Sequence, residues 1–199
     1  MPDWDQNSSE LRDNLIRLLR NIRDAAQQRF PLDSETVRQW HIDAMRGLDV
    51  PDRAWVGCFR GEVGAFDVGV RVGSVSGIAP GLIRSALKNF DIRLAELLDL
   101  LDSTIPVGAD LNCDELEAVI NACAWAHAEW VQIHPFANGN GRTARLLSNA
   151  IAMRYGLPPF VRLRPRPNDG YPEAGRRAMK GHWEPTAVCF RKMLLNAIR

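Results

Sequence analysis

His134–Arg145 read H-P-F-A-N-G-N-G-R-T-A-R, which brings together one histidine, two glycines, two asparagines and two arginines. Apolar residues recur at helical spacing before this stretch, over residues 112–133, and after it, over residues 142–155. Asn112 with Glu115 three residues later has the composition of a helix N-cap. The pattern therefore predicts two core helices joined by a turn that carries the polar residues.

The turn itself has the composition of a phosphate site. Gly139, Asn140 and Gly141 can direct backbone N–H groups toward one point, and the first turn of the next helix adds unpaired donors and a partial positive charge. Arg142 and Arg145 lie three residues apart on one helix face, where their guanidinium groups can bind further phosphate oxygens. We therefore expect a di- or triphosphate ligand rather than a monophosphate.

His134 stands a few residues before this anion site, and imidazole titrates near neutral pH, so it is the candidate general base for an incoming hydroxyl. The same residues fit two other interpretations. Residues 139–144 also fit the dinucleotide-binding pattern G-x-G-x-x-A, but that pattern requires a preceding strand and here a helix precedes it. An ordinary interhelical loop with a capped histidine is the second alternative, and it leaves the two arginines at these offsets unexplained.

The stretch resembles the motif of the Fic family, H-P-F-x-(D/E)-G-N-G-R-x-x-R. The resemblance implies a protein nucleotidyltransferase, usually an adenylyltransferase, which moves AMP or another NMP from ATP or another NTP to a Ser, Thr or Tyr hydroxyl of a target protein. In that comparison His134 is the base, residues 139–141 hold the phosphates, and Arg142 and Arg145 bind the outer phosphates.

The sequence departs from the family pattern at Asn138, where the family has Asp or Glu to hold Mg²⁺ at the nucleotide phosphates. An amide oxygen can bind Mg²⁺ but brings no charge, and hard cations favour carboxylates. The sequence thus predicts a weakened or altered Mg²⁺ site. Two alternatives stay open: a nucleotide-binding regulator that has lost efficient metal use, and a Fic enzyme that transfers a different phosphate-containing group. The phosphotransferase branch carries Lys where this sequence has Gly141, which counts against that branch.

The composition fits one compact domain over residues 1–199, with 46% hydrophobic residues. A net charge of +1 gives no global field for binding nucleic acid, so no nucleic-acid partner is expected. The sequence has no apolar run of membrane-spanning length and no signal-peptide pattern, so we expect no membrane partner and a cytoplasmic location, with delivery into a host cell as an effector left open. The four cysteines lie far apart and are predicted to be free thiols.

Outside the motif, the periodicity predicts a mainly α fold of about six to eight helices with one small hairpin. The further helices are expected at residues 8–29, 33–46, 79–103, 172–180 and 184–198. Valine and glycine alternate with other residues over 66–73, which predicts a β-hairpin within 54–77. The Fic resemblance implies that this hairpin is a flap that holds the target segment, with Arg60 in a loosely matching region, and that Tyr171 lies near the nucleotide base.

The N-terminal helix, within residues 1–30, has a regulatory interpretation. Residues 9–14 come near the inhibitory pattern S/T-x-x-x-E-G/N of some Fic proteins, with Asp13 in place of the glutamate. The plainer interpretation is an N-cap at Ser8 or Ser9 followed by early acidic residues. His41 and His127 are interpreted as structural histidines. A homodimer or a separate inhibitor protein is a further open possibility for the partners.

Overall fold

The computed structural model describes residue 4, residues 8–168 and residues 170–198. These residues form seven α-helices, namely α1 (Ser9–Gln27), α2 (Ser34–Ala44), α3 (Ile83–Thr104), α4 (Cys113–Ile133), α5 (Asn140–Arg154), α6 (Tyr171–Ala178) and α7 (Glu184–Ala197). Strands β1 (Arg71–Val72) and β2 (Val75–Ser76) pair antiparallel. Short 3₁₀ helices lie at Arg53–Trp55, Val63–Ala65 and Pro80–Leu82. The predicted mainly α fold with a small hairpin is confirmed.

Helix α4 lies at the centre of the fold. It packs against α3, α5, α6 and α7, and α1 and α2 pack on α5. Alanines at 122, 124, 126 and 128 are buried, so neighbouring helices can approach its backbone closely. A helix that buries side chains around most of its circumference belongs in the interior. The residues that follow its C-terminus are therefore held on a rigid base.

Helix α5 is also buried almost along its whole length, and its polar side chains are hydrogen-bonded there. Thr143 Oγ1 accepts from Trp130 Nε1 at 2.9 Å. Asn149 bonds the backbone of Val161 twice, through Nδ2 to the carbonyl oxygen at 2.8 Å and from the amide to Oδ1 at 2.9 Å. Buried polar groups are stable only when they are paired. These bonds fix the rotation of α5 and hence the direction of its N-terminus.

Three helices, α1, α2 and α4, begin at the caps that the sequence predicted. The side chain of Ser8 accepts from the amide of Leu11, and that of Asp33 accepts from the amide of Thr36. Asn112 forms a complete capping box with Glu115. Helix α5 begins at Asn140, two residues before its predicted start, because the carbonyl of the preceding glycine already accepts helical N–H groups.

The hairpin is shorter than the alternating sequence of residues 66–73 predicted, and in this respect the prediction was wrong. The amide of Val68 bonds the carbonyl of Ala65 in a turn, which removes the start of the expected strand. The carbonyls of Val68 and Ile78 accept from the guanidinium of Arg60 instead of from a neighbouring strand. The ladder is therefore confined to residues near the tip.

Among the described residues, no helix is both long enough and apolar enough to cross a bilayer. The four cysteines are free thiols, as predicted, and Cys123 lies in the core.

Candidate active site

His134 directly follows α4 and adopts a left-handed backbone conformation with φ 55° and ψ 56°. Its amide still bonds the carbonyl of Trp130 at 3.0 Å. Its Nδ1 lies 3.1 Å from the carbonyl oxygen of Val131. Because a carbonyl only accepts, Nδ1 carries the proton, and in the neutral ring the lone pair is on Nε2. This is the tautomer that a general base acting through Nε2 requires.

The loop after His134 is closed by the side chain of Asn140. Its Oδ1 accepts from the amide of Phe136 and its Nδ2 donates to the carbonyl of the same residue, both at 2.8 Å. Phe136 is fully buried and its ring stacks on His41 with centroids 4.0 Å apart. The amide side chain of Asn140 therefore shapes the loop.

His41 holds the same loop from the other side. The amide of Gly57 donates to its Nδ1 at 3.0 Å, so Nε2 carries the proton and donates to the carbonyl of Asn138 at 3.1 Å. Burial lowers the pKa of His41 to about 4. The ring is thus neutral near pH 7 and acts as a brace, in line with its structural interpretation.

Gly139 makes the sharp turn into α5. Its φ of 79° lies in the left-handed region that favours glycine. Its carbonyl accepts from the amides of Arg142 and Thr143, at 3.0 and 2.9 Å. The amides of Asn140 and Gly141 belong to the first helical turn, whose N–H groups have no intrahelical partner. This end of α5 carries the donors and the partial positive charge that bind anions.

A cavity of about 480 Å³ opens at this helix end. Its wall includes the hairpin residues 68–72, His134, residues 137–141 and Arg145, with Arg166 and Tyr171 among the residues farther along the chain. The volume is typical of sites for small molecules and cofactors. Among the described lining residues three are arginines and none is acidic. The cavity therefore suits a polyanion.

Arg145 reaches the far side of the cavity. It donates to the hydroxyl of Tyr171 at 3.4 Å and to the carbonyl of Leu163 at 3.2 Å. The same hydroxyl lies 2.7 Å from Nε2 of His127, whose pKa is lowered to about 3 by burial and by the charges of Arg145 and Arg166. Since Tyr171 accepts from Arg145, its own proton points to the neutral His127. The sequence had not indicated this chain of contacts.

Arg142, unlike Arg145, is not among the described residues that line the cavity. Its guanidinium donates to Met45 Sδ at 3.3 Å and to the carbonyl of Trp4 at 3.4 Å. The amide of Trp4 donates in turn to Oδ1 of Asn138 at 3.4 Å, and the Trp4 ring stacks on Trp55 with centroids 6.0 Å apart. Trp4 is 5% exposed, Arg142 3% and Asn138 6%. The backbone at Trp4 therefore covers two of the predicted site residues.

The regulatory interpretation of α1 is not supported at Asp13. Its carboxylate is exposed and pairs with Arg12, and Asp13 does not line the cavity. It is Trp4, ahead of the helix, that contacts the motif. No sequence feature marked Trp4 or Arg166 as a residue of the site.

The donor set does not fit a resident Mg²⁺ ion. Asn138 offers one neutral oxygen, and the described residues contain no group of three or more His, Cys, Asp or Glu side chains that could hold a metal. Mg²⁺ in proteins prefers carboxylates together with substrate phosphates. A cation that arrives with a polyphosphate would meet the neutral amide oxygen of Asn138 in place of a carboxylate.

The sequence is similar to proteins of one family. A family model described as "Fic/DOC family" matches residues 31–152, more than half of the chain. Over 42 residues the chain is 60% identical to a protein adenylyltransferase Fic of Nematostella vectensis, a match that covers 21% of this chain and 10% of that protein. It is 37% identical over 92 residues to protein adenylyltransferase fic-1 of Caenorhabditis briggsae, covering 46% of this chain and 15% of that protein. The chain thus spans only a small part of these relatives.

Solved structures share the fold. A Fic-domain signalling protein from Bacteroides thetaiotaomicron superimposes with a TM-score of 0.64 at 20% identity, covering 96% of this chain and 74% of that one. The effector protein BepC of Bartonella tribocorum, solved with bound AMPPNP, gives a TM-score of 0.63 at 16% identity and covers 92% of this chain and 85% of that one. At such identities the similarity concerns the fold alone.

Proposed function

Because the chain belongs to the Fic/DOC family, whose model matches more than half of it, we propose that it is a protein nucleotidyltransferase. It transfers AMP or another NMP from a nucleoside triphosphate to a Ser, Thr or Tyr hydroxyl of a target protein. The observation that carries the proposal is the position of His134, with its Nδ1 bonded to Val131, on the same cavity wall as the N-terminus of α5. The relatives named protein adenylyltransferase and the fold relative solved with AMPPNP support the same activity.

In this reaction Nε2 of His134 takes the proton of the target hydroxyl, and the hydroxyl oxygen attacks the α-phosphorus. The bond from the α-phosphorus to the bridging oxygen breaks, and pyrophosphate leaves. The N–H groups at residues 139–141 hold the phosphates, and Arg145 stabilises negative charge that moves onto the leaving group. Tyr171, which also lines the cavity, contacts the nucleoside in this proposal.

Arg142 joins this machinery only when the backbone of Trp4 no longer occupies its guanidinium. A triphosphate that binds the side chain of Asn138 has to displace Trp4 from it. In this proposal Mg²⁺ binds together with the triphosphate and is not a cofactor resident in the protein. The target protein as partner and the cytoplasm as compartment stay predictions.

A second candidate function is supported by the same region. A nucleotide-binding regulator with little transferase activity needs the anion site and the cavity but no strong cation ligand. The neutral Asn138, covered by Trp4, favours this candidate. The two candidates predict the same nucleotide affinity and differ in whether an NMP is transferred.

Mass spectrometry separates them. The purified protein and a cell lysate are incubated with ATP, GTP, CTP or UTP, each with Mg²⁺ or Mn²⁺, and modified proteins are identified by the mass gain of an NMP. The His134→Ala variant is the control: it should bind AMPPNP as the wild type does but transfer nothing, because the base acts on the acceptor and not on the phosphates. Transfer by the variant at the wild-type rate would remove His134 from the mechanism, and absence of transfer by the wild type would favour the regulator.

A further inference from the structure

Arg60 is a fully buried arginine, 2% exposed, whose charge is not balanced by any acidic side chain among the described residues. Burial lowers its pKa from the ordinary value. A buried charge is costly unless it is hydrogen-bonded throughout. The position of this guanidinium is therefore determined by what it bonds.

Among the described residues, the guanidinium of Arg60 donates to backbone carbonyls. Nε donates to His134 at 2.7 Å, Nη1 to Val68 at 3.2 Å, and Nη2 to Ile78 at 2.8 Å and to Ile133 at 3.2 Å. The amide of Arg60 also donates to the carbonyl of residue 135 at 2.7 Å. One residue thus binds three consecutive carbonyls around the proposed base and the carbonyls on both sides of the hairpin.

The carbonyls that Arg60 binds form two groups, one at the C-terminus of α4 and one beside the hairpin, and both groups lie where regular backbone hydrogen bonding ends. Carbonyls at the C-terminus of α4 have no intrahelical donor, and a cation there also matches the negative end of the helix dipole. The carbonyls of Val68 and Ile78 lie where the hairpin ladder has ended. A planar guanidinium with several fixed donors can serve both groups at once, whereas an ammonium cannot.

The hairpin also packs directly on the proposed base. A Cβ atom added at Gly77 would lie 2.7 Å from Cγ2 of Val70, 3.2 Å from Nη2 of Arg60 and 3.3 Å from Cβ of His134. No side chain fits between these residues. A displacement of the hairpin is therefore transmitted to His134 through this contact and through the shared guanidinium.

We propose that Arg60 is a positioning residue for the transfer reaction. It fixes the backbone of His134 and the hairpin relative to each other, so that the base is aligned with a target segment held at the hairpin. This rests on the proposed function. The hydrogen bonds that the described residues make with Arg60 involve residues 68, 78 and 133–135 and not the anion site at residues 139–141, so its proposed role concerns the acceptor and not the nucleotide. A misplacement of reacting groups by about 1 Å can lower a rate about a hundredfold.

The test compares Arg60→Lys with Arg29→Lys. Arg29 is a matched control because it also binds carbonyls at a helix C-terminus, those of Asp102 at 3.3 Å and Ile105 at 2.6 Å, away from the cavity. Three quantities are measured for each variant: the rate of NMP transfer, the Kd for AMPPNP, and the NMR signals of the His134 ring together with amide exchange in the hairpin.

We expect Arg60→Lys to slow transfer on the order of a hundredfold, to leave the AMPPNP Kd within about threefold, to shift the His134 signals and to speed amide exchange at Gly77. Arg29→Lys should lower the melting temperature without these changes. If Arg60→Lys does not fold, Gly77→Ala replaces it, because the added methyl group wedges the same junction and keeps the charge; the same pattern is expected.

Unshifted His134 signals and unchanged hairpin exchange in both the Arg60 and the Gly77 variants would overturn the proposal. A rate loss no larger than in Arg29→Lys would do the same. If the wild type transfers no NMP, the proposed function fails, whereas the NMR and exchange measurements still decide whether Arg60 couples the hairpin to His134.

Discussion

Replacing Gly139 and Gly141 by alanine, one at a time, should separate the folding of the motif turn from its use in binding. Gly139 has φ 79°, where a residue with a Cβ atom costs about 1–2 kcal/mol. Its Cβ would lie 2.7 Å from Met45 Cε and 3.2 Å from Nε2 of His41, so buried neighbours must move at a further cost of about 1–3 kcal/mol. The total of about 2–5 kcal/mol corresponds to a melting temperature lower by roughly 5–15 °C for a chain of this length.

Gly141 differs in both respects. It has no positive φ, and its added Cβ would meet only Nη1 of Arg145, at 3.3 Å, which is the end of a flexible side chain. Alanine within a helix is favoured over glycine by about 0.5–1 kcal/mol, so the melting temperature should stay or rise slightly. The methyl group nevertheless lies at the anion end of the cavity. Loss of one charge-assisted hydrogen bond to phosphate, about 1.5–3 kcal/mol, should weaken AMPPNP binding on the order of tenfold or more.

The assay is thermal unfolding together with calorimetric titration of AMPPNP for both variants and the wild type. Unchanged AMPPNP affinity in Gly141→Ala would refute the placement of phosphates at the N-terminus of α5. An unchanged melting temperature in Gly139→Ala would refute the requirement for a left-handed turn at that position.

Three other predictions concern the same region. Asn138→Asp should raise the rate of Mg²⁺-dependent transfer on the order of tenfold, which corresponds to an activation free energy lower by about 1.4 kcal/mol, because a carboxylate is a better ligand for a hard cation. Transfer rates over a series of Mg²⁺ concentrations test this, and a slower variant would contradict it. Trp4→Ala should increase AMPPNP affinity roughly two- to tenfold, because the stacking on Trp55 that holds Trp4 in place is worth about 0.5–1.5 kcal/mol. Titration with AMPPNP measures this, and an unchanged affinity would show that Trp4 does not compete with the nucleotide. In the folded protein the buried His41 and His127, whose pKa values are lowered to about 4 and about 3, stay unprotonated, whereas in the unfolded chain they take up protons below about pH 6.5. Their contribution to the free energy of unfolding is therefore present above that pH and is lost as pH falls, by up to about 1.4 kcal/mol per pH unit for each histidine. Denaturant unfolding between pH 7 and pH 5 tests this slope, and a flat profile would contradict it.

The parts of the site that the sequence predicted are local in the chain. His134, the turn at residues 139–141 and the first turn of α5 lie within one helix-turn-helix segment, so periodicity and backbone chemistry were sufficient to place them together. The extent of the hairpin was mispredicted because its alternation of valine and glycine does not reveal that Arg60 takes the carbonyls of Val68 and Ile78.

The contacts that the sequence did not predict join distant segments. Arg60 bonds residues 73 and 74 positions away, and Arg142 bonds Trp4 across 138 positions. Such contacts use backbone carbonyls and amides, which every residue carries, so no residue type marks them in advance. The prediction that Arg142 and Arg145 face one ligand assumed an ideal helix face, and it could not include the contact of Arg142 with Trp4.

Asn138 and Trp4 are coupled for a physical reason. The amide of Trp4 donates to Oδ1 of Asn138, and a charged carboxylate at that position would accept the same hydrogen bond more strongly. Asn138→Asp alone therefore also strengthens the hydrogen bond from Trp4, which reduces but does not cancel the gain from the better cation ligand. Loosening Trp4 removes the first effect and leaves the second. Because the two residues are in contact, their substitutions should not be additive, and the combined variant should gain more transfer activity than the product of the two single gains.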